Sequence, residues 1–134
     1  MRTIKFRGKS VDYGTWRYGS LIIHEDGSMA ITGGANEFSS QLWSSQVHPE
    51  SVGQWTGKFD INGIEIYKGD IVNSGHLKSD EWIPSIAVIE WDDEFSMFYQ
   101  SLKGINKGLT QLMDTPCEII GNIIDSPELM EVKW

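Results

Sequence analysis

Between Val52 and Val72 two stretches of alternating apolar residues are joined through Asn62-Gly63 and followed by a second turn at Gly69-Asp70. Asparagine and glycine both tolerate positive φ, which a tight hairpin turn requires. The middle of the chain is therefore expected to be antiparallel β. This feature limits the fold more than any other stretch, and it names no reaction.

The flanking sequence extends the same pattern. Thr3 to Lys9, Gly14 to Ile23 and Ser28 to Thr32 read as a meander, with Asp26-Gly27 as the turn between the last two. Gly19 interrupts the alternation and is expected to mark a bulge. From Glu37 to Trp55 the signal weakens: Phe38, Leu42, Trp43 and Val47 have the spacing of one helical face, although Ser39, Ser40, Ser44 and Ser45 are poor helix formers. His48 to Ser51 suits a single helical turn, with Pro49 at the first position, and a strand from Val52 to Thr56 follows. Ile64 to Val72, Ile86 to Trp91, Phe95 to Leu102 and Glu118 to Ile124 are further strands, separated by Asn73 to Pro84, Asp92 to Glu94 and Gly104 to Pro116. Short strands this closely spaced suit a small curled barrel. A last helical turn is expected after Ser126, with Pro127 at its first position.

A chain of 134 residues with 14 glycines and 4 prolines fits one compact unit of short strands and turns. No apolar run reaches the roughly 18 residues that a membrane helix needs, and Arg2, Lys5, Arg7 and Lys9 are followed by no apolar stretch. The expectation is a cytoplasmic protein with no membrane partner. Cys117 is the single cysteine, so one chain forms no internal disulfide and no cysteine-based zinc site.

Residues 1–50 hold five basic and five acidic side chains, and residues 51–134 hold six and fourteen. The second part carries the whole net charge of −8 and repels phosphate backbones. Nucleic acid is thus a disfavoured partner. Its weak candidates are Arg2, Lys5, Arg7, Lys9 and Arg17, with Trp16 and Tyr18 as stacking surfaces, although Ile4-Lys5-Phe6-Arg7 is first of all a strand with its charges outward.

Other chemistry-bearing residues favour structural readings. His24, His48 and His76 lack metal-ligand spacing. Asp92-Asp93-Glu94 could gather oxygens for a divalent cation, but a solvated hairpin turn accounts for it. Cys117 has no cation within five residues to lower its pKa. No phosphate loop or nucleophile elbow is present. The sequence predicts no catalytic residue, cofactor, metal or small-molecule substrate. Trp82 and Trp134 are expected at an interface or under another chain, with a lid over the barrel the equal alternative for Trp82, and Phe59 and Ile61 give the hairpin an apolar tip suited to packing against something. The expected partner is a protein or a second copy of the chain.

The ordered pieces Val47-x-Pro49-Glu50-x-Val52-Gly53-Gln54-Trp55-Thr56-Gly57 and Asp60-x-Asn62-Gly63-x-Glu65-Ile66-Tyr67-x-Gly69-Asp70-Ile71-Val72 resemble the YopX family of phage and prophage proteins. Ile4 to Arg7, Ala87 to Asp92, Glu118 to Ile123 and Ser126 to Leu129 fit in the same order. The resemblance implies a mainly β protein (β-rich α+β), to which the sequence adds one or two short helical turns. It places an N-terminal antiparallel β subdomain at 1–56 and a C-terminal SH3-like barrel at 57–134. It carries no catalytic residue across.

Overall fold

A computed structural model describes residues 3–34, 43–103, 110–111 and 116–131. Strand accounts for 55% and helix for 7%, so the chain is mainly β, as its turn-rich alternating sequence predicts. Among the described residues no helix is long and apolar enough to cross a membrane. The strands are β1 (Phe6–Lys9), β2 (Trp16–Ile23), β3 (Met29–Gly33), β4 (Trp43–Val47), β5 (Gly53–Phe59), β6 (Glu65–Tyr67), β7 (Asp70–Asn73), β8 (His76–Lys78), β9 (Glu81–Ile83), β10 (Ile86–Asp92), β11 (Met97–Leu102), β12 (Thr110–Gln111) and β13 (Glu118–Asn122). Two 3-10 turns, Pro49–Ser51 and Pro127–Met130, each place a proline at the start, where a missing N–H costs nothing. Ser126 occupies the N-cap of the second, but its side chain makes no capping hydrogen bond. The chain divides into two compact units, Met1–Trp55 and Thr56–Trp134, with β5 running through the boundary.

In the first unit the antiparallel order is β4-β3-β2-β1-β5. Asp26 and Gly27 make the β2–β3 turn: Gly27 has φ 90°, His24 N–H donates to the Ser28 carbonyl, and the Asp26 carboxylate accepts the Ser28 N–H. Residues opposite one another in register share a face. One face therefore carries Gly8, Arg17, Leu21, Ile31 and Val47, and Ile31 and Val47 are fully buried there. Gly8 allows this packing, because a Cβ on it would lie 2.9 Å from the Val47 side chain. The sheet curls until the end of β4 meets the end of β1. His48 N–H donates to the Lys9 carbonyl, Val11 N–H donates to Gln46, and Ser10 bridges Val47.

In the second unit the sheet order is β12-β11-β10-β7-β13. One face gathers Val72, Ala87, Ile89, Phe98, Leu102 and Ile119, with Ile66 and Cys117 packed on it. Burying each of Ile66, Val72 and Ile89 stabilises the fold by about 2 kcal/mol. Ile71 and Val88 project from the opposite face and are also buried. The Pro127–Met130 turn packs against β10 on this side, and a Cβ on Gly121 would be 2.9 Å from Leu129. A bulge at Ile120 shifts the β7–β13 register.

Four local expectations change. Trp43–Val47 is a strand rather than part of a helical face, because pairing with β3 along its whole length outweighs the i, i+4 apolar spacing; Phe38 and Leu42 lie outside the described residues. The run Ile64 to Val72 breaks into β6 and β7 at Gly69, whose φ of 94° bends the chain. The connection Asn73 to Pro84 contains the β8–β9 ribbon. In the Asn62-Gly63 turn only Gly63 takes positive φ, so the connection is one residue longer than a two-residue hairpin loop.

Candidate functional site

The β5–β6 hairpin tip is held from both sides of its turn. Asp60 N–H donates to the Ile64 carbonyl, and Gly63 N–H donates back to Asp60. One oxygen of the Asp60 carboxylate accepts Asn62 N–H (2.8 Å) and Ile64 N–H (2.9 Å), while the other accepts Ile119 N–H (3.2 Å). Ile61 N–H also donates to the Cys117 carbonyl, which ties the tip to the start of β13. Asp60 is only 7% exposed. Burial pushes its carboxyl pKa up, but the N–H groups of Ile64, Ile119 and Asn62 together outweigh this and hold it below the ordinary carboxylate value.

Around this rigid anchor the apolar side chains point outward. Phe59, Ile61 and Ile64 are 57%, 61% and 55% exposed within six residues. Phe59 and Ile61 were candidates from sequence alone. Ile64 escaped notice because alternation through Ile64 and Ile66 assigned it to a buried strand, whereas it closes the turn instead. Trp82, on the β8–β9 ribbon, is 63% exposed; Gly75 leaves room for its indole, since a Cβ there would lie 2.5 Å from the ring. Trp134 lies outside the described residues.

The first unit presents a different surface. Lys5, Arg7 and Lys9 alternate along β1 and its leading residue, and the register places Trp16 and Tyr18 of β2 beside them on the same face. Trp55 reaches that face from β5, its N–H donating to the Lys5 carbonyl. The Arg7 guanidinium lies 4.7 Å from the Trp16 ring centroid and the Lys5 ammonium 5.2 Å from that of Trp55, both within cation–π range. All six side chains have further interactions beyond these. Arg17 lies opposite Gly8 and points to the other face, near Trp43 and Tyr13. The five basic candidates therefore do not share one face, and Arg2 lies outside the described residues.

The remaining candidates are engaged locally. Asp92 accepts the Phe95 N–H and Asp93 the Trp91 indole N–H, so both serve the β10–β11 turn. No group of three potential metal ligands occurs among the described residues. His48 approaches Glu50 at 3.8 Å on the surface. Burial, and then the Asp60 and Asp70 carboxylates, push the Cys117 thiol above its ordinary pKa. Cys117 is expected to resist a thiol-reactive disulfide reagent at pH 8 in the folded protein and to react once per chain in denaturant. Rapid reaction of the native protein would contradict this burial.

A family model described as YopX protein matches residues 5–131. None of the curated proteins is significantly similar to the chain. Among solved structures, the crystal structure of protein EF1440 from Enterococcus faecalis is similar, with a TM-score of 0.57 at 20% identity, over 98% of this chain and 100% of that one. At that identity the likeness bears on the fold.

Proposed function

The chain belongs to the YopX family, and on that premise we propose that it is a phage- or prophage-encoded, non-enzymatic protein of the host cytoplasm that binds a protein partner through the β5–β6 hairpin tip. The observation that carries this reading is the pairing of a fixed turn with an outward apolar cluster. Phe59, Ile61 and Ile64 are exposed on a loop whose backbone is held by Asp60 and Cys117. A loop already ordered in its binding shape loses little entropy on association, so apolar area on it converts efficiently into affinity. The acidic excess of residues 51–134 supplies a charged surround that favours solubility and partner selection. The SH3-like barrel expected for 57–134 belongs to the same proposal, as a scaffold for the tip.

The non-enzymatic part of the reading draws on how the chemical groups are used. Asp60 is committed to three backbone N–H groups, and the Cys117 thiol is held away from the reactive thiolate. To test the proposal, tagged protein and a Phe59→Ser/Ile61→Ser/Ile64→Ser variant are used to capture partners from prophage-induced lysate. The recovered partner is then titrated against both proteins. The variant should keep its circular dichroism spectrum and bind at least about 100-fold more weakly, as expected when a central apolar cluster is lost. Equal binding by the two proteins would overturn the role of the tip. Light scattering on the purified protein separates self-association from capture of a different chain.

A further inference from the structure

Arg17 stands apart from the cations of β1 in what surrounds it. The register puts it on the face that carries Gly8, Leu21, Ile31 and Val47, whereas Lys5, Arg7 and Lys9 belong to the opposite face. Trp43 reaches the Arg17 face from β4, and its indole lies across Gly33, where a Cβ would be 3.1 Å from the ring. Tyr13 approaches from the β1–β2 turn, its N–H donating to the Ser10 hydroxyl. The Arg17 guanidinium carbon is 5.6 Å from the Trp43 ring centroid and 5.8 Å from that of Tyr13, within cation–π range of both.

The rings hold the guanidinium but accept none of its hydrogen bonds. Among the described residues no carboxylate pairs with Arg17, and its Nε is buried without an acceptor. The two Nη groups are not buried, so the end of the fork opens to solvent. The Trp43 indole N–H and the Tyr13 hydroxyl likewise donate to no described residue. Three kinds of donor thus meet where the fold supplies no acceptor, a balance that selects an oxyanion. A guanidinium fork matches two oxygens in one plane, and a single cation matches a single negative charge. We propose that Arg17, held in place by Tyr13 and Trp43, binds a carboxylate through paired N–H···O bonds from its Nη groups. A small organic acid and an acidic side chain of a peptide offer the same group. The site lies within the first unit and uses no residue of the hairpin tip.

The isotope-labelled full chain is titrated with benzoate and followed by NMR at the Arg17 Nε–H and Trp43 indole N–H resonances. Benzamide keeps the shape of the probe without its charge, and inorganic phosphate supplies a tetrahedral anion. The α-amide of N-acetylglutamate presents the carboxylate as a peptide side chain would, and its affinity against that of benzoate tells the two sources apart. Both resonances should shift saturably with a carboxylate and stay in place with benzamide. Arg17→Lys keeps the charge but loses the planar fork, so it should bind at least about 10-fold more weakly. Tyr13→Ala, at a position 73% exposed, removes one ring and should weaken binding about 3-fold. Circular dichroism checks that each variant is folded, and the wild-type titration stands without either. No shift with either carboxylate, equal shifts with benzamide, tighter binding of phosphate, or equal binding by Arg17→Lys would each overturn the proposal. Equal binding by Tyr13→Ala would overturn the role of that ring.

Discussion

Replacing Asp60 by alanine should destabilise the second unit by about 3 kcal/mol, because three backbone N–H groups lose their acceptor at once in a nearly buried position. Each hydrogen bond to a carboxylate is worth about 1.5–3 kcal/mol, and relief of the buried charge offsets part of the sum. Asp60→Asn keeps one acceptor oxygen but turns an NH2 group toward N–H donors, so an intermediate loss is expected. Urea unfolding gives the size of the change, and hydrogen exchange at Asn62, Ile64 and Ile119 gives its location. A loss below about 0.5 kcal/mol would show that the turn holds its shape without the carboxylate.

The same residue predicts an acid response. Its folded pKa lies below the ordinary 3.8, so folding favours the ionised form. The stabilisation is complete above the unfolded pKa and disappears as pH falls through the lower folded value. Stability of the wild type should therefore drop below about pH 4 more steeply than that of Asp60→Ala. Parallel acid limbs would contradict the assignment. Loss of the turn should also weaken partner binding even where Phe59, Ile61 and Ile64 are intact, since the tip would no longer be ordered beforehand.

The second large effect is expected at Gly19, in the middle of β2. A Cβ on this residue would lie 2.3 Å from the Thr32 carbonyl oxygen, which is backbone and has no rotamer to change. Thr32 is itself restrained, because its hydroxyl donates to the Trp43 carbonyl at 2.6 Å. Gly19→Ala must therefore open the β2–β3 ladder or displace β3 from β4, for a loss of about 3 kcal/mol. Gly27→Ala is the control: φ is 90° there but no atom lies within 4 Å, so only backbone strain of about 1 kcal/mol applies. Thermal unfolding of the two variants distinguishes collision from strain, and equal shifts would remove the steric account.

What could be read from sequence depended on whether the information was local. Asp26-Gly27 and Pro49 name their own conformations, and the structure contains the corresponding turns. Strand edges at Ile86, Leu102 and Glu118 followed from alternation bounded by turn residues. Trp43–Val47 was misleading because its serines and spaced apolar residues fit neither period clearly, and only the neighbouring β3 decides between them. The β8–β9 ribbon was hidden for a related reason. Its turn places Ser79 and Asp80 at positive φ without a glycine to announce it.

The candidate surfaces were legible to different degrees. Alternation in β1 placed Lys5, Arg7 and Lys9 together, but the register with β2 was needed to show that Arg17 points the other way. The apolar character of Phe59 and Ile61 was visible, whereas the anchoring of their turn by Asp60 to Ile119 joins residues 59 positions apart. No local pattern contains that contact.

The return of β4 to the end of β1 has a kinetic consequence. Lys9 N–H donates to the Ser51 hydroxyl across 42 residues, beside the backbone bonds from His48 and Val11. The β2–β3 hairpin can form from neighbours within microseconds, but this seam must wait for a long loop to close before any of its bonds is gained. Sequence-distant closure, rather than hairpin formation, should therefore set the folding rate of the first unit. During synthesis the seam has no partner until Ser51 has left the ribosome, so the early strands exist for a time as a meander with an unsealed end.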